Sequence, residues 1–362
     1  MLLLALAGFL VLASQSVGGF QDLSARATAA RQANDLPQAI ALYKEAVQVN
    51  PKWEEGWWYL GSLLYDSNDC GDSRKALSEV VELDPKASPA WGLLGLCEFD
   101  TGDYDQSLTD IQRSLLPDSG IEPQMEKVLR YHEALLLTRC GQFEEALKRF
   151  VWFADKRTQN PELIAAIGMA ALRTPRLATD LKPEEQQLYQ AAGTAVRLSM
   201  TGQFGDAETA LRQLVEDYPT TPYVHYLYGC FLLNAKPDVA MNELRQEVQL
   251  HPSSGSANAM LAWVLLQHGD AAAARQYAGA AVESDAKLAL AQYAFGRCLL
   301  EQGKTEEAIN HLLIAEKSDP ASLDTHVSLA TAYSRAGRPR EARRERMRSL
   351  EISRQQVEAA NR

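Results

Sequence analysis

The sequence predicts an all-α fold, a solenoid of about ten helix–turn–helix repeats, and three observations predict it. A small residue recurs at Ala27, Gly61, Gly95, Ala134, Gly168, Ala195, Gly229, Ala262, Gly296 and Ala330, in steps of 34, 34, 39, 34, 27, 34, 33, 34 and 34. A second series, Ala39, Ser73, Ser107, Ala146, Ala207, Ala240, Ala274, Ala308 and Ala342, keeps the same phase. Prolines fall in register behind it at Pro51, Pro85, Pro219, Pro252 and Pro320. A fixed period of this length marks stacked units, none of which buries its apolar face alone.

Residues 288–320 show one unit in full. Tyr293, Phe295, Gly296, Leu299 and Leu300 form an apolar stripe at helical spacing. Gly303 ends that helix, since glycine takes the left-handed turn without a Cβ penalty. A second helix turns Ala308, Leu312, Leu313 and Ala315 inward and Glu306, Glu307 and Lys317 outward. Pro320 closes it, lacking the N–H that would extend it. Gly296 is the small residue that lets the two helices approach.

Trp57–Leu60–Gly61 and Trp91–Leu94–Gly95, with the alanine and proline series, resemble the tetratricopeptide repeat (TPR) family, whose unit is a 34-residue helix–turn–helix. The resemblance covers nearly the whole chain after residue 20. It implies a right-handed superhelical solenoid whose concave wall is made mainly by the first helix of each pair.

Taken in order, residues 1–19 have no charged side chain and an apolar run from Leu2 to Ala13. That run is short for a membrane span and suits a secretory signal with small residues Ser16 to Gly19 near a cleavage point. An uncleaved anchor over residues 2–19 is the rival. An exported, periplasmic or secreted protein is expected. Residues 20–173 are expected to form an N-terminal array, with an inserted loop of about a dozen residues at 116–127. The period loses seven residues at the fifth unit, so 174–187 is expected to be an irregular joint, within an irregular stretch near 173–187. Residues 188–362 form a second array ending in an arginine-rich capping helix. The net charge of −11 gives the whole molecule no pull towards nucleic acid or an anionic membrane, although the basic tail could serve an anionic partner.

Chemistry is sparse. His132, His225, His251, His268, His311 and His326 show no HExxH or paired metal spacing. Cys70, Cys97, Cys140, Cys230 and Cys298 show no CxxC, and Cys97 and Cys298 fall where a small apolar residue packs. Asp66–Asp72 fails as a calcium loop at Cys70 and Leu77. No GxSxG or phosphate-cradling glycine loop occurs, and no length is left over for a catalytic domain. No enzyme activity, cofactor, metal site or small-molecule substrate is expected.

What remains is a surface. Carried over residue by residue, the family's groove-facing positions fall on Trp58, Tyr65, Phe99, Tyr131 and Arg139 in the front array. Behind the joint they fall on Tyr189, Tyr223, Tyr226, Trp263, Tyr293 and Arg297. Aromatic residues with hydrogen-bonding ends suit a recognition surface. The lysine and asparagine clamp by which some relatives grip a C-terminal carboxylate is absent, its places holding Ser24, Thr28, Trp58 and Ser62. The expected partner is a protein or peptide segment held in an aromatic groove, on a cell-envelope scaffold. The alternative is an assembly role in which the chain self-associates or tethers a complex through its ends.

Overall fold

Every regular element among the described residues is helical, as the repeat pattern requires. A computed structural model of the chain describes residues 19–154 and 160–360. The expected signal or anchor therefore lies, apart from residue 19, outside the described residues. Among the described residues, no helix is long and apolar enough to cross a membrane. The chain divides into two compact units, unit 1 up to Lys182 and unit 2 from Pro183.

Unit 1 contains α1 (19–32), α2 (Leu36–Val49), α3 (Glu54–Asp66), α4 (Cys70–Leu83), α5 (Ser88–Asp100) and α6 (Tyr104–Ser114). It continues with α7 (Pro123–Arg139), α8 (Phe143–Ala154) and α9 (Pro161–Ala171). Unit 2 contains α10 (Pro183–Met200), α11 (Phe204–Asp217), α12 (Val224–Leu232), α13 (Pro237–Leu250) and α14 (Gly255–Gln267). It ends with α15 (Ala271–Ser284), α16 (Ala289–Glu301), α17 (Thr305–Ser318), α18 (Leu323–Arg335) and α19 (Pro339–Ala360). Within each unit, consecutive helices pair as hairpins, and each hairpin stacks on the next. The exception is α9, followed by a single 3-10 turn at Ala178–Asp180 in place of a second helix.

The small-residue series do the work expected of them. A Cβ on Gly95 would lie 2.7 Å from Ile111, and one on Gly296 would lie 2.9 Å from Leu312. Ser73 and Ser107 are fully buried, and each donates its hydroxyl to the glycine carbonyl across the hairpin, at 2.8 Å to Gly61 and 2.7 Å to Gly95. A buried hydroxyl needs such a partner, and here the tight approach supplies one. At the hairpin turns the backbone goes left-handed, for example at Gly303 (φ +76°) and at Asn68 (φ +58°), a residue type that tolerates that region.

A further series was hidden by its chemical variety. Trp57 and Trp91 donate their indole N–H to the carbonyls of Pro51 and Pro85, at 2.9 and 3.0 Å. The same register holds His225, Asn258, Gln292 and His326, bonded to the carbonyls of Pro219, Pro252, Ala286 and Pro320 at 2.7–3.0 Å. Each donor reaches back six residues and satisfies the turn that joins one hairpin to the next.

Two local expectations change. The insertion is shorter as a loop than expected, because α7 begins at Pro123 and takes the rest as helix; proline at the first helical position loses no bond. The joint expected at 174–187 stops at Lys182, since Pro183 opens α10 with Glu184 and Glu185 in its first turn. The start of α12 has its own device. Tyr223 takes φ +68°, and the helix starts at Val224. Glu247 of α13, fully buried, accepts from the amides of Tyr223 at 2.8 Å and Tyr226 at 3.3 Å. A carboxylate there meets amides at the helix N-terminus that would otherwise be orphaned.

Candidate functional site

In unit 1, Phe99 and Tyr131, expected to line a groove, are joined by three further rings into one aromatic chain. Phe99 on α5 meets Tyr104 on α6 edge-on at 5.6 Å between ring centroids and His132 on α7 at 4.7 Å. His132 lies 5.7 Å from Tyr131, which meets Phe153 of α8 at 6.2 Å. Tyr65 of α3 packs, with Phe99 and Tyr104, on the aliphatic core of Leu96, Ile111, Leu129 and Leu136. Burial and the Asp100 carboxylate raise its phenol above the ordinary value. Burial pushes Tyr131 up to about 12. His132 Nδ1 lies 2.8 Å from the Val128 carbonyl, so that nitrogen donates; burial lowers the ring's pKa and keeps it neutral. Arg139 lays its guanidinium 4.2 Å over the Tyr104 ring and remains exposed at the end of α7.

Beside this chain is a recess of about 190 Å3 between α7, α8 and α9. Val128, Tyr131, Phe153 and Leu163 give it apolar walls, and Gln124, Lys127 and Asn160 give it a polar rim. Trp58 is half-buried and lies elsewhere, against Leu77, Val80, Val81, Ala90 and Leu94. The structure therefore brings together Tyr65, Phe99, Tyr131 and Arg139, and leaves Trp58 outside. Tyr104, His132 and Phe153 were missed because the groove positions name first-helix residues at fixed places. Tyr104 and Phe153 stand on second helices, and His132 stands next to a groove position.

Unit 2 treats its equivalents differently. Tyr189 and Tyr293, expected on the wall, are buried at 7% and 4% exposure. The reason at Tyr293 is the alanine content of its neighbours. Ala259, Ala262, Ala291 and Ala294 are fully buried, α14 lies directly against α16, and Tyr293 sinks into the core between them. Arg297 reaches back to the Tyr293 hydroxyl at 3.4 Å and stands 3.8 Å from Glu301. Trp263 donates its indole N–H to Asp324 at 3.3 Å. Tyr223 and Tyr226 meet edge-on at 5.9 Å.

Two further groups stand apart from the rings: the buried acid Glu98, and His225 with its partner Glu243. Glu98, 3% exposed, sits near Asp110, and its Oε2 meets no donor. Burial, and then the Asp110 charge, raise the Glu98 carboxyl to about 8. His225 bonds Glu243 at 2.6 Å through Nδ1 while Nε2 meets the Pro219 carbonyl, and the carboxylate raises the imidazole's pKa. Neither group lies among the grouped rings of unit 1.

No curated protein sequence matches the chain. Among solved structures, MamA residues 41 to the end from Desulfovibrio magneticus RS-1 is 20% identical, covering 47% of this chain and 97% of its own, with a TM-score of 0.39. YrrB, described as a TPR protein with an unusual peptide-binding site, is 20% identical over 47% of this chain and 89% of its own, with a TM-score of 0.38. Another MamA crystal structure is 20% identical over 45% and 96%, with a TM-score of 0.37. The family model for the tetratricopeptide repeat matches residues 24–67, 60–120, 231–289, 259–323 and 293–355, which together span more than half of the chain. The chain belongs to the tetratricopeptide repeat family.

Proposed function

We propose that the chain is a non-catalytic interaction scaffold that holds a segment of a partner protein on the aromatic face of unit 1. The carrying observation is the contiguous run Tyr104, Phe99, His132, Tyr131 and Phe153, with Tyr65 on the same core as Phe99, Arg139 at the edge and the recess beside it. Rings fixed by one another lose little freedom on binding, so the ordering entropy falls mainly on the partner. The recess takes an apolar side chain, and Lys127 and Arg139 favour acidic neighbours on the same segment. Peptides selected from a random library on the full chain are the direct test. A Phe99→Ala, Tyr131→Ala double variant should bind them at least about tenfold more weakly with helicity retained. Equal affinity would end the reading.

Export to the cell envelope is part of the same proposal. The apolar run Leu2 to Ala13 and the small residues after it support it. N-terminal sequencing of the mature chain decides between cleavage near Gly19 and a retained anchor. A second reading, assembly through the ends, has its own support: α19 exposes Met347, Leu350 and Val357 at 61%, 65% and 58%. Concentration-dependent self-association lost in Met347→Glu would favour it.

A further inference from the structure

We propose that Glu316, His326 and Glu345 form a site for one divalent transition-metal ion, Zn2+ being the best fit, that clamps α19 to α17 and α18. Each helix supplies one residue, and one ligand atom from each lies within 4.8 Å of the others. His326 and Glu345 are 2% exposed, while Glu316 is half-buried and leaves a way in. Imidazole with two carboxylates is a donor set that suits Zn2+, with a fourth position left for water.

The orientation of the imidazole is the first argument. His326 Nε2 lies 3.0 Å from the Pro320 carbonyl, which can only accept, so Nε2 carries the proton. That leaves the Nδ1 lone pair aimed at Glu345 Oε2, 2.8 Å away. Two lone pairs at that separation need a cation between them, either a proton or a metal. A ring nitrogen that ligates a metal typically has its partner N–H held by a carbonyl in this way. Zinc bonds of about 2.0–2.2 Å place neighbouring ligand atoms about 3.3 Å apart, a separation small side-chain rotations would reach. Arg344 occupies the other oxygen, Oε1, at 2.9 Å and leaves Oε2 for the ion.

The repeat itself supplies the second argument, because it contains the same pair without the third ligand. His225 repeats the geometry, with Nε2 at the Pro219 carbonyl and Nδ1 at Glu243. Ten residues before His225 stands Val215. The same register holds Val47, Val81, Val248 and Val282, ahead of Trp57, Trp91, Asn258 and Gln292. Only before His326 does it hold a carboxylate, Glu316. A charged side chain in an apolar packing register, facing a buried histidine and a buried glutamate, is what a ligand would add. At His225 a proton suffices.

The test uses the full chain stripped with a chelator and titrated with Zn2+ by calorimetry, and with Co2+ by absorption. One equivalent should bind and raise the melting temperature, and the Co2+ spectrum should lack thiolate charge-transfer bands. Glu316→Val restores the register's own residue, so the fold should be kept while affinity falls at least about tenfold. His225→Gln should leave metal affinity unchanged, because its pair has no third ligand. No saturable binding by the wild type, or undiminished binding by Glu316→Val, overturns the site. The second result would assign the metal to other surface groups.

Discussion

In unit 1 the rings from α5, α6, α7 and α8 meet edge to edge, and all but Phe153 keep part of their surface exposed; in unit 2, α14 and α16 meet through alanines and swallow Tyr293. The same period and the same hairpin serve both. What differs is the size of the residue where neighbouring first helices face each other. Large rings hold helices apart and leave an edge for a ligand. Alanines let them close and turn the wall into core. The lesson is that a repeat register places a side chain on a face, but the neighbouring repeat decides whether that face remains a surface.

The strongest way to break the comparison is to attack what the two units share. Gly95→Leu in unit 1 and Gly296→Leu in unit 2 each push a side chain into the opposite helix, at Ile111 and Leu312. Each should cost about 3 kcal/mol in urea unfolding, near the top of the range for overpacked cores. An unchanged midpoint for either would refute the close approach. Next comes Glu247→Leu, which strips the acceptor from the amides of Tyr223 and Tyr226. A loss of about 2 kcal/mol is expected, with hydrogen exchange quickening in α12 and not in unit 1.

A pH series sharpens the contrast. Glu98 has a folded pKa of about 8 against an ordinary 4.5, so the folded state holds the extra proton between those values. Stability of unit 1 should therefore fall as pH rises through that window, and Glu98→Gln should flatten the dependence. In unit 2 the raised pKa of His225 makes its contribution complete below about 6.5 and lost as pH climbs through the folded value. His225→Gln should remove that second slope alone, as followed by thermal melts across pH. The smallest effect belongs to Arg139→Ala. Losing the guanidinium over Tyr104 should cost about 0.5–1 kcal/mol, measured by denaturant unfolding.

Much of the architecture was legible because it depends on few residues at a fixed period. Ala27, Ala134, Ala195 and Ala262 are fully buried where the series placed them, as are all nine members of the second series. Half of the fifth repeat was missing in the sequence and is missing in the fold, where α9 has no helical partner before α10. The site was less legible. Tyr131 and Tyr293 occupy the same register and differ in fate because α14 and α16 close on alanine. The seam between hairpins was illegible for the opposite reason. Tryptophan, histidine, asparagine and glutamine look unrelated in sequence, yet each offers one N–H at the same reach.

That seam also has an optical consequence. Five of the six tryptophans, Trp53, Trp57, Trp58, Trp91 and Trp152, lie in unit 1, and two of them bond the turns between hairpins. Trp263 alone lies in unit 2. Indole emission is therefore weighted to the first unit, while far-ultraviolet ellipticity counts the helices of both. If the units melt separately, the two signals will give different midpoints, and their disagreement would measure the difference in stability. A single fluorescence curve would report on one half of the molecule in the name of the whole.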